Sequence, residues 1–331
     1  MFGVIGRAAR VVDTYLIAPM TGKISTASFW YIPEPPAFID QEGFRRYADP
    51  ADRSPLYPID HRAKTKYGLI GSDGVIVLRY TPPTGDQINP EACFQFALGL
   101  HDRWLAEGDE SLLEQFLFYA RYFRDRQTEN GDFAYLFDYG AHLRAPWFSP
   151  LAQSRGASTM LRAYLITADP SFREAALKAV RKFRTPISQG GCLGHTARAG
   201  LPYFEEYPPD PTEVINGFMA AIIGPWEVAR FLDSSDGVEL TALAKISLEQ
   251  MLPDFTLSWW SLYDQNRREI FPNYHSARYH KMCIGYLQVL ALMLESETIA
   301  EYAQIWSRQY TLVSRIRATA LKFARKSVYP I

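Results

Sequence analysis

Three tyrosines stand in short polar segments that lie far apart along the chain. Tyr207 lies in the segment EEYP, Tyr263 in LYD and Tyr279 in YHK. A phenol has an ordinary pKa of about 10, so it suits proton exchange with a very weakly acidic C–H group once the site lowers that pKa. Tyrosines from different elements can occupy opposite walls of one site, and Glu206 beside Tyr207 can orient or relay the proton. The pattern therefore predicts a proton-transfer site formed by these four residues.

Arginines near the same segments could neutralise a carboxylate on the reacting molecule. A guanidinium group presents a planar fork of donors that matches a carboxylate through two hydrogen bonds. Removing a proton next to a carboxylate puts nearly two negative charges on one group, so cations or several donors are required there. The candidates are Arg155, Arg267, Arg268 and Arg278.

Three uncharged or weakly basic side chains near these segments are predicted to contact a substrate: Gln153, Asn216 and His280. Structural explanations stay open for two of them, because His280 could be a hydrogen-bonded core histidine and Asn216 could serve helix packing beside Gly217. Glu205 and Glu206 could likewise be no more than a solvated charge pair before Pro208.

Five cations near the C-terminus form a further cluster: Arg315, Arg317, Lys322, Arg325 and Lys326. Their simplest explanation is the polar face of a terminal helix. They could also follow an anionic polymer.

The composition is that of an ordinary globular protein, with 47% hydrophobic and 21% charged residues. A formal net charge of −1 over 331 residues gives no overall field that would attract nucleic acid.

Three cysteines without CxxC spacing and six histidines without HxxxH or HxH spacing indicate neither a disulfide framework nor a metal site. Arginines interrupt the first twenty residues, and no apolar run of about 20 residues follows. We therefore expect a cytoplasmic protein with no membrane span and no metal.

Aromatic residues make up 14% of the chain, with 20 Tyr, 20 Phe and 7 Trp. Carbohydrate sites favour such residues because the C–H face of a sugar packs on a ring while a phenol or indole adds a hydrogen bond. A large aromatic core is the alternative explanation.

Residues 1–85 are rich in proline and glycine and have little helical periodicity. The segment from Tyr67 to Tyr80 places Ser72, Asp73 and Gly74 between two β-prone runs, which is typical of a hairpin turn. This part is predicted to be a small β-rich N-terminal arm.

Residues 86–331 change to helices of moderate length and are expected to be almost entirely helical. The pairs Phe116 with Ala120 and Phe172 with Ala176 belong to amphipathic patterns, whereas the segments 217–232 and 282–294 are apolar nearly all round. Four segments each begin with polar residues and then become apolar, and two of them follow an aromatic, strand-like stretch. This weak repeat predicts an α/α toroid in which the starts of the inner helices gather around one cleft.

Four segments together resemble the C-terminal catalytic domain of heparosan/heparan sulfate D-glucuronyl C5-epimerases. They are residues 146–169, 203–224, 262–264 and 279–288, and the similarity covers roughly residues 86–310. Its most specific element is EEYP, a proline three residues later at Pro211, and NGF beginning at Asn216. The resemblance implies an α/α barrel, a homodimer, no cofactor and conversion of D-glucuronate to L-iduronate within an anionic polysaccharide. It also implies catalytic roles for Tyr207, Tyr263, Tyr279 and Glu206.

The chain departs from the family pattern at three places. Ala277 and Arg278 replace an aromatic–Asp pair, Cys283 replaces a histidine, and the family's AQGQ element reads AQSR over residues 152–155. A uronate polysaccharide lyase shares the first proton abstraction, and a non-catalytic glycan-binding protein is a further alternative. A glycoside hydrolase would need two flanking carboxyl groups, for which Glu206 with Asp138 or Asp264 could be proposed.

Overall fold

The computed structural model describes residues 26–30, 36–140, 142–266 and 269–329. Helices dominate these residues, and the strands are few and short. The α-helices are α1 (Thr26–Trp30), α2 (Gln41–Tyr47), α3 (Pro90–Glu107), α4 (Glu110–Arg124), α5 (Pro150–Thr167), α6 (Pro170–Arg181), α7 (Ile215–Leu232), α8 (Ser235–Phe255), α9 (Ala277–Met293), α10 (Glu297–Gln309) and α11 (Leu312–Val328). Across these described ranges, none of the helices combines the length and the apolar character that crossing a bilayer requires.

Short elements complete the architecture. Three 3₁₀ helices span Arg62–Lys66, Lys182–Arg184 and Ile187–Gln189. Two antiparallel pairs join β1 (Leu78–Arg79) to β2 (Asp86–Gln87) and β3 (Leu193–His195) to β4 (Pro202–Phe204).

Eight helices form four consecutive hairpins, in which α3 packs on α4, α5 on α6, α7 on α8 and α9 on α10. The first members pack side by side in chain order as an inner layer of α3, α5, α7 and α9. The second members, α4, α6, α8 and α10, pack on one another in the same order as an outer layer. This alternation is an α/α toroid, so the predicted fold class is confirmed.

The two layers differ in burial as their sequences predict. The outer helices α4 and α6 each bury one face, which includes Phe116 and Ala120 in α4 and Phe172 and Ala176 in α6. The inner helix α7 is buried along nearly its whole length. A helix that is apolar all round needs neighbours on both sides, and the toroid provides them.

A serine hydroxyl joins two inner helices where α7 contains Pro225. Proline lacks an N–H group and disturbs the hydrogen-bond ladder of the preceding turn. The hydroxyl of Ser154 in α5 accepts from the Gly224 N–H at 2.8 Å and donates to the Ala220 carbonyl at 3.1 Å. A Cβ atom at Gly224 would come within 2.8 Å of the Ser154 backbone, so glycine permits this close approach.

Within residues 26–30 and 36–85, the N-terminal segment contains less β-structure than its sequence suggests. The turn expected at Ser72–Gly74 exists, with the Gly71 N–H bonded to the Val75 carbonyl, but it closes a single Ile70–Ile76 bridge. Helices α1 and α2 also lie in this segment. Buried side chains such as Tyr57 and Ile76 belong to the same hydrophobic core as the toroid helices, so the described part of the segment packs on the toroid.

One strand pair breaks the helical pattern expected for residues 86–331. Strands β3 and β4 pair Leu193 with Phe204 and His195 with Pro202. Glycines at 190, 191 and 194 disfavour a helix here, and a Cβ atom at Gly191 would collide with the Thr185 carbonyl. The prediction of an almost entirely helical C-terminal part was therefore wrong at this hairpin, which leads directly into the EEYP segment.

A buried ion pair between α5 and α7 ties the N-terminal segment to the toroid. Arg162 and Glu227 are fully buried and 2.9 Å apart. Arg162 also donates to the carbonyl groups of Pro55 and Leu56, and Glu227 accepts from the Tyr47 hydroxyl at 2.9 Å. The pair thus joins two inner helices to residues before position 60.

Arg162→Met should lower the free energy of unfolding by about 3–5 kcal/mol, because it leaves the Glu227 carboxylate buried without a cation. Urea denaturation followed by circular dichroism measures this loss. The double variant Arg162→Met/Glu227→Gln should lose less, since no isolated charge remains buried. Equal losses in both variants would contradict an electrostatic origin.

Candidate active site

Glu205 fixes the EEYP segment between β4 and α7. Its buried carboxylate accepts hydrogen bonds from four donors: the backbone N–H groups of Tyr207, Thr212 and Glu213 at 2.9–3.1 Å, and the Tyr203 hydroxyl. A carboxylate that satisfies several backbone donors pins a loop firmly. Glu205 is therefore a structural residue and not part of a solvated charge pair.

Glu206 is 6% exposed, and its carboxyl group lies against the first turn of α7. A Cβ atom at Gly217 would come within 2.2 Å of Glu206 Oε2, so a glycine is needed at that position. Burial raises the pKa of Glu206 to about 8; the charges of Glu205 and Glu91 add to this rise, whereas a hydrogen bond from Tyr207 opposes it. A carboxyl group with a pKa near neutral pH is suited to accept and to donate protons.

Tyr207 stands beside this carboxyl group and keeps part of its surface exposed. Its ring packs against a cluster that includes Tyr135, Phe137 and Trp147. Burial raises the pKa of Tyr207 well above its ordinary value, and the charge of Glu206 adds to the rise. Tyr207 is therefore protonated at neutral pH, and its hydroxyl group donates a hydrogen bond to the Glu206 carboxyl group.

Tyr263 and Tyr279 meet edge to face, with ring centroids 5.6 Å apart and an interplanar angle of 84°. The Tyr263 carbonyl accepts from the Ile215 N–H at 3.2 Å, which ties this segment to the start of α7. Tyr279 lies in the first turn of α9, where the Ser276 hydroxyl accepts from its N–H. Both rings are partly exposed.

Electrostatic effects link the two pairs of residues. Burial raises the pKa of Tyr263 well above its ordinary value, and the charges of Glu206 and then Tyr279 raise it further. Tyr263 in turn raises the pKa of Tyr207. The structure thus brings Glu206, Tyr207, Tyr263 and Tyr279 to one place at the starts of α7 and α9, and we call these four residues the tyrosine–glutamate site.

Arg155 lies at the centre of the toroid and is 3% exposed. It forms an ion pair with Glu91 of α3 and donates to the Tyr286 hydroxyl of α9 at 2.8 Å. Because both terminal nitrogens of the guanidinium group are engaged, Arg155 joins three inner helices. This arrangement does not fit the predicted direct binding of a substrate carboxylate.

Several buried polar atoms at the starts of the inner helices have no hydrogen-bond partner among the described residues. They are Glu91 Oε2, Arg155 Nε, Glu206 Oε2 and Asn216 Oδ1. Buried polar atoms are normally satisfied, and exceptions concentrate where a ligand or water binds. The inner helix starts therefore form a polar region suited to a hydroxylated ligand.

Gln153 does not fit its predicted substrate contact. Its side chain is fully buried, accepts from the Phe133 N–H at 2.6 Å and donates to the Gly131 carbonyl at 2.8 Å. Because its amide oxygen and its amide nitrogen are both hydrogen-bonded to the loop before α5, Gln153 fixes that loop to the helix. The side chain therefore faces the core.

His280 is a core histidine, which was the alternative explanation of this residue. Its ring stacks on Trp260 at 3.8 Å and near Trp306, and it is fully buried. One ring nitrogen bonds to the Ser261 hydroxyl at 2.6 Å and the other to the Trp306 carbonyl at 2.9 Å. Because both nitrogens are engaged, the predicted substrate contact by His280 does not fit the structure.

The remaining predicted residues differ in position. Asn216 lies in the first turn of α7 close to the tyrosine–glutamate site, and its amide oxygen belongs to the unpartnered atoms named above. Arg278, in the first turn of α9, donates to the Trp30 carbonyl at 2.9 Å. Arg267 and Arg268 lie outside the described residues.

Sequence reasoning missed several groups around the site. Glu91 follows the proline that begins α3, and its position at a helix start was the available signal. Trp147 stacks on Tyr135 at 3.9 Å, and Tyr139, which is 40% exposed, stacks near Trp147. Tyr135 and Trp147 are buried, so Tyr139 is the member of this group that presents an exposed ring of the kind that sugar rings pack against. Lys322 of α11 lies with its ammonium nitrogen 4.9 Å from the Tyr263 ring centroid.

These features define an α/α-toroid protein with a buried carboxyl group and several phenols at the inner helix starts. A family model described as D-glucuronyl C5-epimerase C-terminus matches residues 126–308, more than half of the chain. The chain belongs to this family. The whole tyrosine–glutamate site falls within the match, and membership supports assignment to enzymes that process uronate-containing carbohydrates.

Two relatives share part of the chain. A D-glucuronyl C5-epimerase of Caenorhabditis elegans is 29% identical over 175 residues, which are 48% of this chain and 28% of that protein. An uncharacterised protein of Methanocaldococcus jannaschii is 27% identical over 198 residues, which are 55% of this chain and 64% of that protein. The matched part thus spans less than two thirds of either relative.

Among solved structures, the unsaturated glucuronyl hydrolase of Bacillus sp. GL1 has a TM-score of 0.44 at 16% identity, covering 69% of this chain and 60% of that one.

Glu206→Gln should make the protein more stable at high pH. The folded-state pKa of about 8 lies above the ordinary value of 4.5, so the folded protein holds a proton that the unfolded chain releases. Burial of Glu206 therefore costs increasing stability as the pH rises from about 4.5 to 8. The variant should exceed the wild type by about 2–4 kcal/mol at pH 9 and by little at pH 4.

Glu205→Gln is the matched control, because its amide nitrogen would oppose at least one backbone N–H group. It should lower stability by about 1–3 kcal/mol across the same pH range. Urea denaturation at several pH values measures both variants. A Glu206→Gln variant that is less stable than the wild type at pH 9 would contradict the buried, raised pKa.

Proposed function

We propose that this chain is a D-glucuronyl C5-epimerase, an isomerase that converts D-glucuronate to L-iduronate within a heparosan-like anionic polysaccharide. The observation that carries the proposal is the meeting of the Glu206–Tyr207 pair with the Tyr263–Tyr279 pair at the inner helix starts. Membership of the C5-epimerase family supports the same reaction. The homodimer implied by the resemblance stays a prediction.

Inversion at C5 needs a proton acceptor on one face of the sugar ring and a donor on the other. Ionised Glu206 takes the hydroxyl proton of Tyr207, and the Tyr207 oxygen then takes the proton from C5. The electron pair of the broken C–H bond moves into the carboxylate of the substrate and forms an enediolate. Tyr279, oriented by its contact with Tyr263, donates its proton to the opposite face of C5. The proton held by Glu206 is then released to solvent and the Tyr279 phenolate takes one up, which restores the starting state. The reverse reaction uses the same groups in the opposite order.

The local electrostatics suit this division of roles. Tyr207 is protonated at neutral pH because burial and Glu206 raise its pKa. The pKa of Glu206, at about 8, lies near neutral pH, so Glu206 can collect and return protons at modest cost. The exposed ring of Tyr139 offers a surface for a neighbouring sugar ring.

Incubation of glucuronate polymers in D₂O, with NMR detection at C5, tests the proposal. An epimerase should introduce deuterium at C5 and produce iduronate without changing the chain length. A lyase would instead shorten the chain and give products that absorb ultraviolet light through a new C4–C5 double bond. Binding of the polymer with neither deuterium uptake nor cleavage would favour a non-catalytic glycan-binding protein.

Tyr207→Phe and Tyr279→Phe should each lower the rate of inversion by about 10²- to 10⁴-fold, because each removes one proton-transfer partner while keeping the ring. Polymer binding should largely survive. One variant should still exchange the C5 proton of glucuronate with solvent and the other only that of iduronate, so exchange measured beside inversion assigns the two faces. Near-wild-type inversion by both variants would defeat the two-tyrosine mechanism.

A further inference from the structure

The C-terminal helix α11 reaches the tyrosine–glutamate site from outside the family match at residues 126–308. The ammonium nitrogen of Lys322 lies 4.9 Å from the centroid of the Tyr263 ring. It donates to Asn273 Oδ1 at 2.7 Å and to the Tyr274 carbonyl at 3.0 Å. Lys322 is therefore held beside a tyrosine of the site by two uncharged acceptors.

The acidic groups near Lys322 are already committed to other donors. The Asp264 carboxylate accepts from the Asn273 amide at 2.6 Å, and Glu269 forms an ion pair with Arg325. Within the described ranges, Lys322 forms no ion pair of its own. A partly buried ammonium group with uncharged partners favours the approach of an anion.

The pKa of Lys322 agrees with this shortage of negative charge. The pKa is lowered to about 7, mainly by burial and in addition by the neighbouring Arg325 and Lys326, while Asp264 and Glu269 oppose the change. A substrate carboxylate beside Lys322 would favour the charged ammonium form.

The other cations around the site have partners that limit such a role. Arg155 is paired with Glu91 and Tyr286 at the centre of the toroid. Arg278 donates to the Trp30 carbonyl. Lys322 thus differs from both, because it lies against the ring of a tyrosine in the site.

We propose that Lys322 binds the carboxylate of the uronate residue whose C5 is inverted. The inference rests on the proposed function, since it assumes a uronate polymer in the tyrosine–glutamate site. The carboxylate is attached to C5, so the cation that binds it must lie close to the tyrosines that exchange the C5 proton. Lys322 contacts Tyr263, whose ring packs directly on Tyr279. The same ammonium group would stabilise the second negative charge of the enediolate.

Titration calorimetry on the full chain tests this role with two probes, a heparosan hexasaccharide and the same hexasaccharide with its carboxyl groups reduced to alcohols. Lys322→Met should weaken binding of the first probe about 10- to 100-fold, as expected for loss of a charged hydrogen bond to a carboxylate. It should leave binding of the reduced probe unchanged. Lys322→Arg should retain most of the affinity because it keeps the cation.

Arg308→Met is the matched control, because it removes an exposed cation that belongs to the neighbouring helix α10 and lies outside the C-terminal cationic cluster. It should bind both probes like the wild type. Equal affinity of Lys322→Met and the wild type for the uronate probe would overturn the inference. Equal weakening of both probes would overturn it as well, since that result would indicate a structural role of α11.

Deuterium uptake at C5, measured separately, distinguishes failure of this inference from failure of the proposed function. In one outcome, Lys322→Met loses affinity only for the unreduced hexasaccharide and the wild type takes up no deuterium. This result would support the carboxylate contact and refute the epimerase. Deuterium uptake by the wild type with undiminished affinity in Lys322→Met would refute the contact alone.

Discussion

The protein holds a carboxyl group, Glu206, in a buried position without an ion-pair partner among the described residues, and much of the surrounding structure serves this constraint. Gly217 provides the space at the first turn of α7, because any larger residue would displace the carboxyl oxygen. Glu205 fixes the loop through backbone hydrogen bonds, and the β3–β4 hairpin delivers that loop to the inner layer. Burial in this position raises the pKa of Glu206, and the charges of Glu205 and Glu91 add to the rise.

Charges elsewhere in the toroid are compensated in a different manner. Arg162 and Glu227 neutralise each other inside the protein and join α5, α7 and the N-terminal segment. Glu91 and Arg155 form a second pair at the centre, in contact with Tyr286. Charge pairs of this kind define how the helices assemble. The Glu206 carboxyl group, in contrast, lies without an ion-pair partner among the described residues, close to the phenols of Tyr263 and Tyr279. The charged groups that stabilise the fold are therefore different from the groups proposed to act in catalysis.

Much of the fold could be predicted from the sequence, because the periodicity of apolar residues reflects burial directly. The patterns around Phe116 and Phe172 gave the outer helices, and the all-apolar run of α7 gave the inner layer. The β3–β4 hairpin was missed, since its three-residue strands are too short for an alternating pattern and depend on glycines that fit close backbone contacts. The N-terminal segment appeared β-rich from its turn residues, but its burial on the toroid is a tertiary effect.

The candidate site could be predicted in part for a similar reason. The EEYP segment identified Glu206 and Tyr207, because it matches the pattern of the family that the chain resembles. Side-chain direction was not accessible, so Gln153 and His280 were placed in the site although both face the core. Lys322 was interpreted as part of a solvated helix face, because its contact with Tyr263 joins residues almost sixty positions apart.

The central claim is that a uronate ring lies between Tyr207 on one face and Tyr279 on the other. The most direct measurement is a crystal structure of the Tyr279→Phe variant with a bound glucuronate oligosaccharide. In this complex, C5 of the uronate should lie about 3.5 Å from the Tyr207 hydroxyl oxygen, and the ring of residue 279 should lie on the opposite face of the sugar. A uronate ring bound with both residues on the same face, or bound away from the inner helix starts, would contradict it.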